Sequence, residues 1–122
     1  MWAYAPCEEY ERQLRKWPKK YKRELMAMLH NLETFFKALH GGQKPCQAKF
    51  GFIHPEPCGA LGIDQKGAGA SAKESRLYIY PDEVHECLRL ITLGDKDSQT
   101  EDIQTCKHFI EALRKEGLKE TV

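Results

Sequence analysis

The chain has 122 residues, 30% charged and 41% hydrophobic, and a formal net charge of +1. That suits a single soluble globular domain over residues 1–122, with room for one core and not for two. No apolar run approaches the roughly 20 residues of a membrane-spanning helix, and Met1-Trp-Ala-Tyr-Ala-Pro6 lacks the basic and apolar regions of a secretory signal.

Five scattered cysteines, Cys7, Cys46, Cys58, Cys87 and Cys106, form no Cys-x-x-Cys pair. They read as reduced thiols of a cytoplasmic protein, mostly buried as small hydrophobes. From Arg12 to Arg23 there are seven basic residues and no acid. Such a patch attracts a polyanion or an acidic partner, or is simply a solvated helical surface.

Trp2 to Ala5 suggests a short edge strand. Cys7, Tyr10, Leu14 and Trp17 form one helical stripe, and Pro18 is expected to end that helix or open the next. A second helix is predicted from about residue 19 to 40, with Tyr21, Leu25, Met28, Leu29, Leu32, Phe35, Phe36 and Leu39 on one face and Gly41-Gly42 as its C-terminal stop. Gln47 to His54 reads as a strand with Phe50 and Phe52 on one face, Pro55 to Gly59 as a turn, and Ala60 to Asp64 as a return strand. Gln65 to Ser75, rich in Gly, Ala, Ser and Lys, reads as a flexible loop.

Arg76, Tyr78 and Tyr80 alternate with Leu77 and Ile79, the period of a strand with two unlike faces. Pro81-Asp82-Glu83 supplies a turn. Leu88, Leu90, Ile91 and Leu93 then make an apolar run suited to a central strand covered on both faces. Ser98 and Glu101 have the spacing of a capping box for a last helix with Ile103, Cys106, Phe109, Ile110 and Leu113 inward and Gly117 at its end. The expected architecture is α+β: an N-terminal α-hairpin and a C-terminal helix, all on one side of an antiparallel sheet of three or four strands.

The histidines His30, His40, His54, His85 and His108 make no zinc spacing with the cysteines, so neither a metal nor another cofactor is expected. No Gly-x-Ser-x-Gly elbow occurs, and Gly67-Ala-Gly69 lacks the Lys-Ser/Thr of a phosphate loop. What remains is a cationic and aromatic set on or beside the sheet: Lys49, His54, Arg76, Tyr78, Tyr80, Asp95 and Lys96, with Lys66 in the loop. Cations neutralise phosphate, tyrosines stack on bases, and His, Asp or Lys can move protons, which suits a nucleic acid. The same pattern also fits half-buried strand tyrosines and an arginine paired with a carboxylate.

Three stretches resemble the RelE/ParE toxin superfamily, in particular its HigB-like, phage-related subgroup. Trp17-Pro-Lys-Lys-Tyr-Lys-Arg23 is similar to the family's "LPKK" helix junction. Arg76-Leu-Tyr-Ile-Tyr80 resembles its arginine strand, and Leu90 to Ile103 resembles its "LLHGFxKKTQKTPxxEI" ending. The resemblance implies the toxin of a type II toxin–antitoxin pair, with a cognate antitoxin as partner. It implies metal-independent cleavage of mRNA, on the ribosome, by the RNA's own 2′-hydroxyl. By motif, Arg76 would hold the scissile phosphate, Asp95 and Lys96 would occupy the catalytic loop after the last strand, and Lys49 and His54 match by element. Tyr78, Tyr80 and Lys66 would contact the nucleic acid. The family's Lys-Lys is Asp95-Lys96 here and the chain is nearly neutral. A second reading therefore stays open: a nuclease-inactive or ParE-like protein of the same fold that acts by binding an antitoxin or another protein.

Overall fold

A computed structural model describes the backbone of residues 1–121 and the side chains of residues 1–117. The elements run β1 (Ala3–Pro6), α1 (Glu8–Lys20), α2 (Lys22–His40), β2 (Ile53–Pro55), a 3-10 turn (Pro57–Gly59), β3 (Leu61–Asp64), β4 (Ser75–Asp82), β5 (Cys87–Asp95), a second 3-10 turn (Lys96–Ser98) and α3 (Gln99–Thr121). The fold is α+β. The sheet has five strands in the order β1-β5-β4-β3-β2 and is mixed, because β1 pairs with β5 in parallel.

The frame is the β4–β5 hairpin, in register from Ser75 opposite Asp95 to Asp82 opposite Cys87. Pro81 does not end β4. The neighbouring β3 reaches only Ile79, so beyond it β4 is paired on one side alone and a residue without an N–H removes no bond from that side. Tyr78 faces Thr92 and Ile79 faces Leu90, which leaves Ile91 as an extra residue in β5. This bulge breaks the alternation of the Leu88 to Leu93 run. Leu88, Leu90 and Leu93 join one core with Leu77, Ile79 and Ile63, while Ile91 joins Tyr78 and Ala60 in another.

The single core expected from length is thus divided in two by the sheet, and each part takes its own helices. Trp17, Leu25, Met28, Leu32, Phe35 and Leu39 of α1 and α2 fill the first. Cys106 and Ile110 of α3 fill the second, on the opposite face of the sheet. The helices are thus not segregated to one side, as periodicity alone suggested: the strand face that carries Arg76 and Tyr80 also carries the apolar ring of Tyr78, and α3 covers it.

Other expectations shift locally. Pro18 lies inside α1, in its last turn, where its missing N–H removes a single bond; the break falls at Tyr21, with φ −133° and ψ 56°. Gly41-Gly42 does close α2, through Gly42 N–H to Leu39 O (3.0 Å) and Gln43 N–H to Ala38 O (3.1 Å), the paired bonds of a Schellman cap. Residues 47–52 are loop and turn, and β2 begins at Ile53. Phe50 and Phe52 still share a side, stacked with centroids 5.1 Å apart, and Phe52 is buried in the first core. The expected capping box is replaced by an aspartate: Asp95 Oδ1 accepts from the N–H groups of Asp97 (2.9 Å) and Ser98 (3.2 Å). Gly117 does not end α3, which continues to Thr121. No helix among the described residues is long and apolar enough to cross a membrane.

The position of α2 makes a stability prediction. Met28 is fully buried, whereas Leu29, one residue on, is only partly covered. Met28→Ala should cost about 2–5 kcal/mol in denaturant unfolding and Leu29→Ala distinctly less. Equal losses would mean that the helix is rotated about its axis.

Candidate functional site

The β register gathers several of the candidate residues at one end of one sheet face. His54 lies opposite Gly62, which lies opposite Tyr78; Asp64 lies opposite Arg76, which lies opposite Gly94. Residues directly opposite one another, and those two apart along a strand, share a face. His54, Asp64, Arg76 and Tyr78 therefore project together, on the side of α3.

Two polar pairs stand on this face. His54 Nε2 meets Asp64 Oδ2 at 2.7 Å. The other oxygen of Asp64 accepts the Lys66 N–H at 2.8 Å, which fixes the carboxylate in place. With Nε2–H donated to Asp64, the lone pair of the imidazole is on Nδ1, the arrangement of a histidine held for proton abstraction. Beside it, Arg76 Nη1 donates to Glu56 Oε1 at 2.5 Å. The Glu56 side chain is 6% exposed and that of Arg76 22%. Both lie across Gly62: a Cβ there would be 3.0 Å from Glu56 Oε1 and 3.1 Å from Arg76 Cδ. Glu56 comes from Pro55-Glu-Pro57, a segment stiffened by a proline on either side, with the Glu56 N–H bonded to Ala60 O at 2.9 Å.

At the rim, Arg76, Tyr78, Asp95 and Lys96 line a niche that holds little more than a water molecule. Asp95 is committed to capping the turn after β5, as described. A larger cleft of about 280 Å³ adjoins it between α1 and α3. Arg12, Lys16, Lys20 and Trp17 come from α1, and Asp95 and Asp102 from the other wall. The basic α1 segment and the Asp95 turn, remote in sequence, thus border one cleft.

Asp102 is the perturbed carboxyl of this cleft. Burial pushes its pKa up to about 6; the bond from Ser98 Oγ (2.7 Å) works the other way, and Glu101, Asp95 and Glu9 add to the rise. Its carboxylate presses on the backbone of β5, and Gly94 leaves the room: a Cβ there would be 2.0 Å from Asp102 Oδ2.

The remaining candidates are placed differently. Tyr78 is 1% exposed beneath α3, and burial pushes its hydroxyl well above the ordinary phenol range, so it presents no ring face to a base. Tyr80 packs against the same core, 3.5 Å from where a Gly59 Cβ would stand. Lys49 is exposed in the loop before β2 and lines neither the niche nor the cleft. Lys66 is exposed, its Nζ 2.9 Å from the position of a Gly51 Cβ. Sequence reasoning missed Glu56, Asp64 and Asp102. The Pro-Glu-Pro triplet was a usable signal for Glu56; the other two become meaningful only through strand register and helix packing. Among the described residues, no cluster of three or more His, Cys, Asp and Glu side chains could hold a metal ion.

The Asp102 carboxyl yields a pH prediction. Its folded pKa is raised, so the native state binds more protons than the unfolded chain between about pH 4 and 6. Stability therefore falls as pH rises through that window and stays lower above it. Asp102→Asn should flatten this part of the stability–pH curve, measured by urea unfolding. An unchanged curve would show that the carboxyl is not the group responsible.

No family model, no curated protein and no solved structure matches the chain.

Proposed function

We propose that this chain is the toxin of a type II toxin–antitoxin pair, acting as a metal-independent endoribonuclease at the His54–Asp64 and Arg76 end of the sheet. The observation that carries the reading is the juxtaposition of an imidazole oriented by Asp64 with a strand arginine on the same face, both projecting over β3. The element order, a strand and two helices before the β-strands with a helix after them, also accords with the family resemblance of the sequence.

Such a site has the parts for RNA transesterification. His54 Nδ1 takes the proton of a 2′-hydroxyl, and the 2′-oxygen attacks the adjacent phosphorus. Arg76 neutralises the charge that develops on the phosphoryl oxygens. The 5′-oxygen leaves and is protonated by water, giving a 2′,3′-cyclic phosphate and a 5′-hydroxyl. Glu56 holds one Arg76 N–H and competes with the entering phosphate for the guanidinium. Lys96 at the rim adds positive charge along the approach.

One observation favours a second reading. Arg76 already donates to a buried carboxylate, and truncating one partner of such a pair leaves the other charge with a large uncompensated desolvation cost. On that reading the pair is structural, and the fold acts by binding an antitoxin or another protein.

Expression without a partner separates the two. The nuclease reading predicts growth arrest, cleavage of translated transcripts in the presence of EDTA, and relief of both by His54→Ala and by Arg76→Ala, with cleavage reduced by about 100-fold or more. Growth arrest with intact transcripts would point to a protein target. Harmless accumulation of folded protein would leave the binding role.

A further inference from the structure

We propose that the groove between α2 and the 65–75 loop is a second phosphate-binding subsite, which takes the flanking backbone of a single-stranded RNA engaged at His54 and Arg76. This rests on the ribonuclease reading above and extends it to residues outside the catalytic face.

The groove has a volume of about 390 Å³. Arg23, Met26 and His30 of α2 form one wall, and Lys66 and Gly67 of the loop form the other. No carboxylate lines it. That sets it apart from the α1–α3 cleft, which carries Glu9, Asp95, Glu101 and Asp102, and from the Arg76 niche, which carries Glu74 and Asp95. The nearest acid in sequence, Glu24, is buried and its Oε2 accepts the Lys73 N–H at 2.8 Å. The Arg23 guanidinium reaches toward the loop, with Nη2 at 3.5 Å from Ser71 Oγ, a neutral group that leaves its charge uncompensated.

The groove is a built feature of the fold. Asn31, buried on α2, donates through Nδ2 to Asp64 O (3.1 Å) and to Lys66 O (3.0 Å), which ties the start of the loop to the helix. Asp64 is the same residue whose carboxylate orients His54 and caps the Lys66 N–H. Asp64 thus links the dyad, through its carboxylate, to the groove, through its carbonyl. The helices α2 and α3 lie on opposite faces of the sheet, so an RNA that engages both sites rounds the sheet edge at Lys66. Met26, 61% exposed in the groove wall, supplies an apolar surface where a sugar or base edge can rest without reading sequence. An uncompensated basic groove of this kind matches phosphate by charge.

The test is binding of single-stranded RNA of about eight nucleotides, with 2′-fluoro sugars so that it binds without being cut, set against a dinucleotide of the same chemistry. The double variant Arg23→Gln/Lys66→Gln changes exposed side chains only, and its fold is checked by circular dichroism. It should weaken octamer binding severalfold and lower the slope of log affinity against log salt by about 1.4, the loss of two single-strand phosphate contacts. Dinucleotide binding should be unchanged. Octamer affinity and salt slope equal to those of the unaltered chain, while Arg76→Ala weakens both ligands, would overturn the groove and leave the ribonuclease reading standing. Failure of the unaltered chain to bind either RNA would overturn both. A double variant that keeps the octamer but loses an oligoglutamate peptide would assign the groove to an acidic protein instead.

Discussion

The structure depends on the antiparallel ladder between β4 and β5 and on the one residue by which it is out of step. β5 is the strand between β1 and β4, and most of it is buried on both faces. A perfect two-residue alternation would have sent Leu88, Leu90, Thr92 and Gly94 to one face. The extra residue at Ile91 lets the strand offer leucines to α1 and α2 while giving Ile91 to α3. The same shift sets Gly94 opposite Arg76 on the α3 face, under the carboxylate of Asp102. The position of the arginine, the seat of the last helix and the cleft beside it all follow from this register.

Much of this was legible in the sequence where a single element decides its own form. The stripe of α2, the β4 alternation, the apolar run of β5 and the loop between residues 64 and 75 follow from local periodicity and composition. What periodicity does not encode is the side of the sheet that a helix takes. The α3 stripe suits either face, and it takes the one on which the β4–β5 register places Tyr78 and Ile91. Phe50 and Phe52 alternate like strand residues, yet they insert from a loop because the pairing of β3 with β2 reaches only from Leu61 to Ile63. The Ser98–Glu101 spacing suggests a cap, but the Ser98 hydroxyl is drawn to Asp102, a buried acceptor one residue further on. In the site, His54 and Arg76 stood out by residue type. Their partners Asp64 and Glu56 did not, because both pairings are set by strand register and by the return of the Pro55–Pro57 segment.

The near-zero net charge conceals a separation of charge. On the sheet, cations are matched internally: Arg76 with Glu56, and Arg89 with Asp82, which also binds His85. Off the sheet, the basic stretch of α1 borders a cleft that also carries Glu9, Asp95, Glu101 and Asp102, with Arg12 bonded to Glu9. Arg23 instead lines the groove beside the 65–75 loop, and no carboxylate lines that groove. Paired charges hold geometry, whereas uncompensated ones attract an anionic partner from solution. A polyanion would therefore be drawn by the Arg23 groove and oriented by the sheet, with Glu56 as the group that competes with an arriving phosphate for Arg76.

The most direct measurement is a nuclear magnetic resonance titration of the folded chain with a short, uncleavable single-stranded RNA. The His54 imidazole and the Arg76 guanidinium are followed together. The account predicts that both sets of resonances move with one saturation curve, and that inorganic phosphate competes weakly at the same two residues. Saturable shifts elsewhere on the molecule, with His54 and Arg76 unmoved, would contradict it.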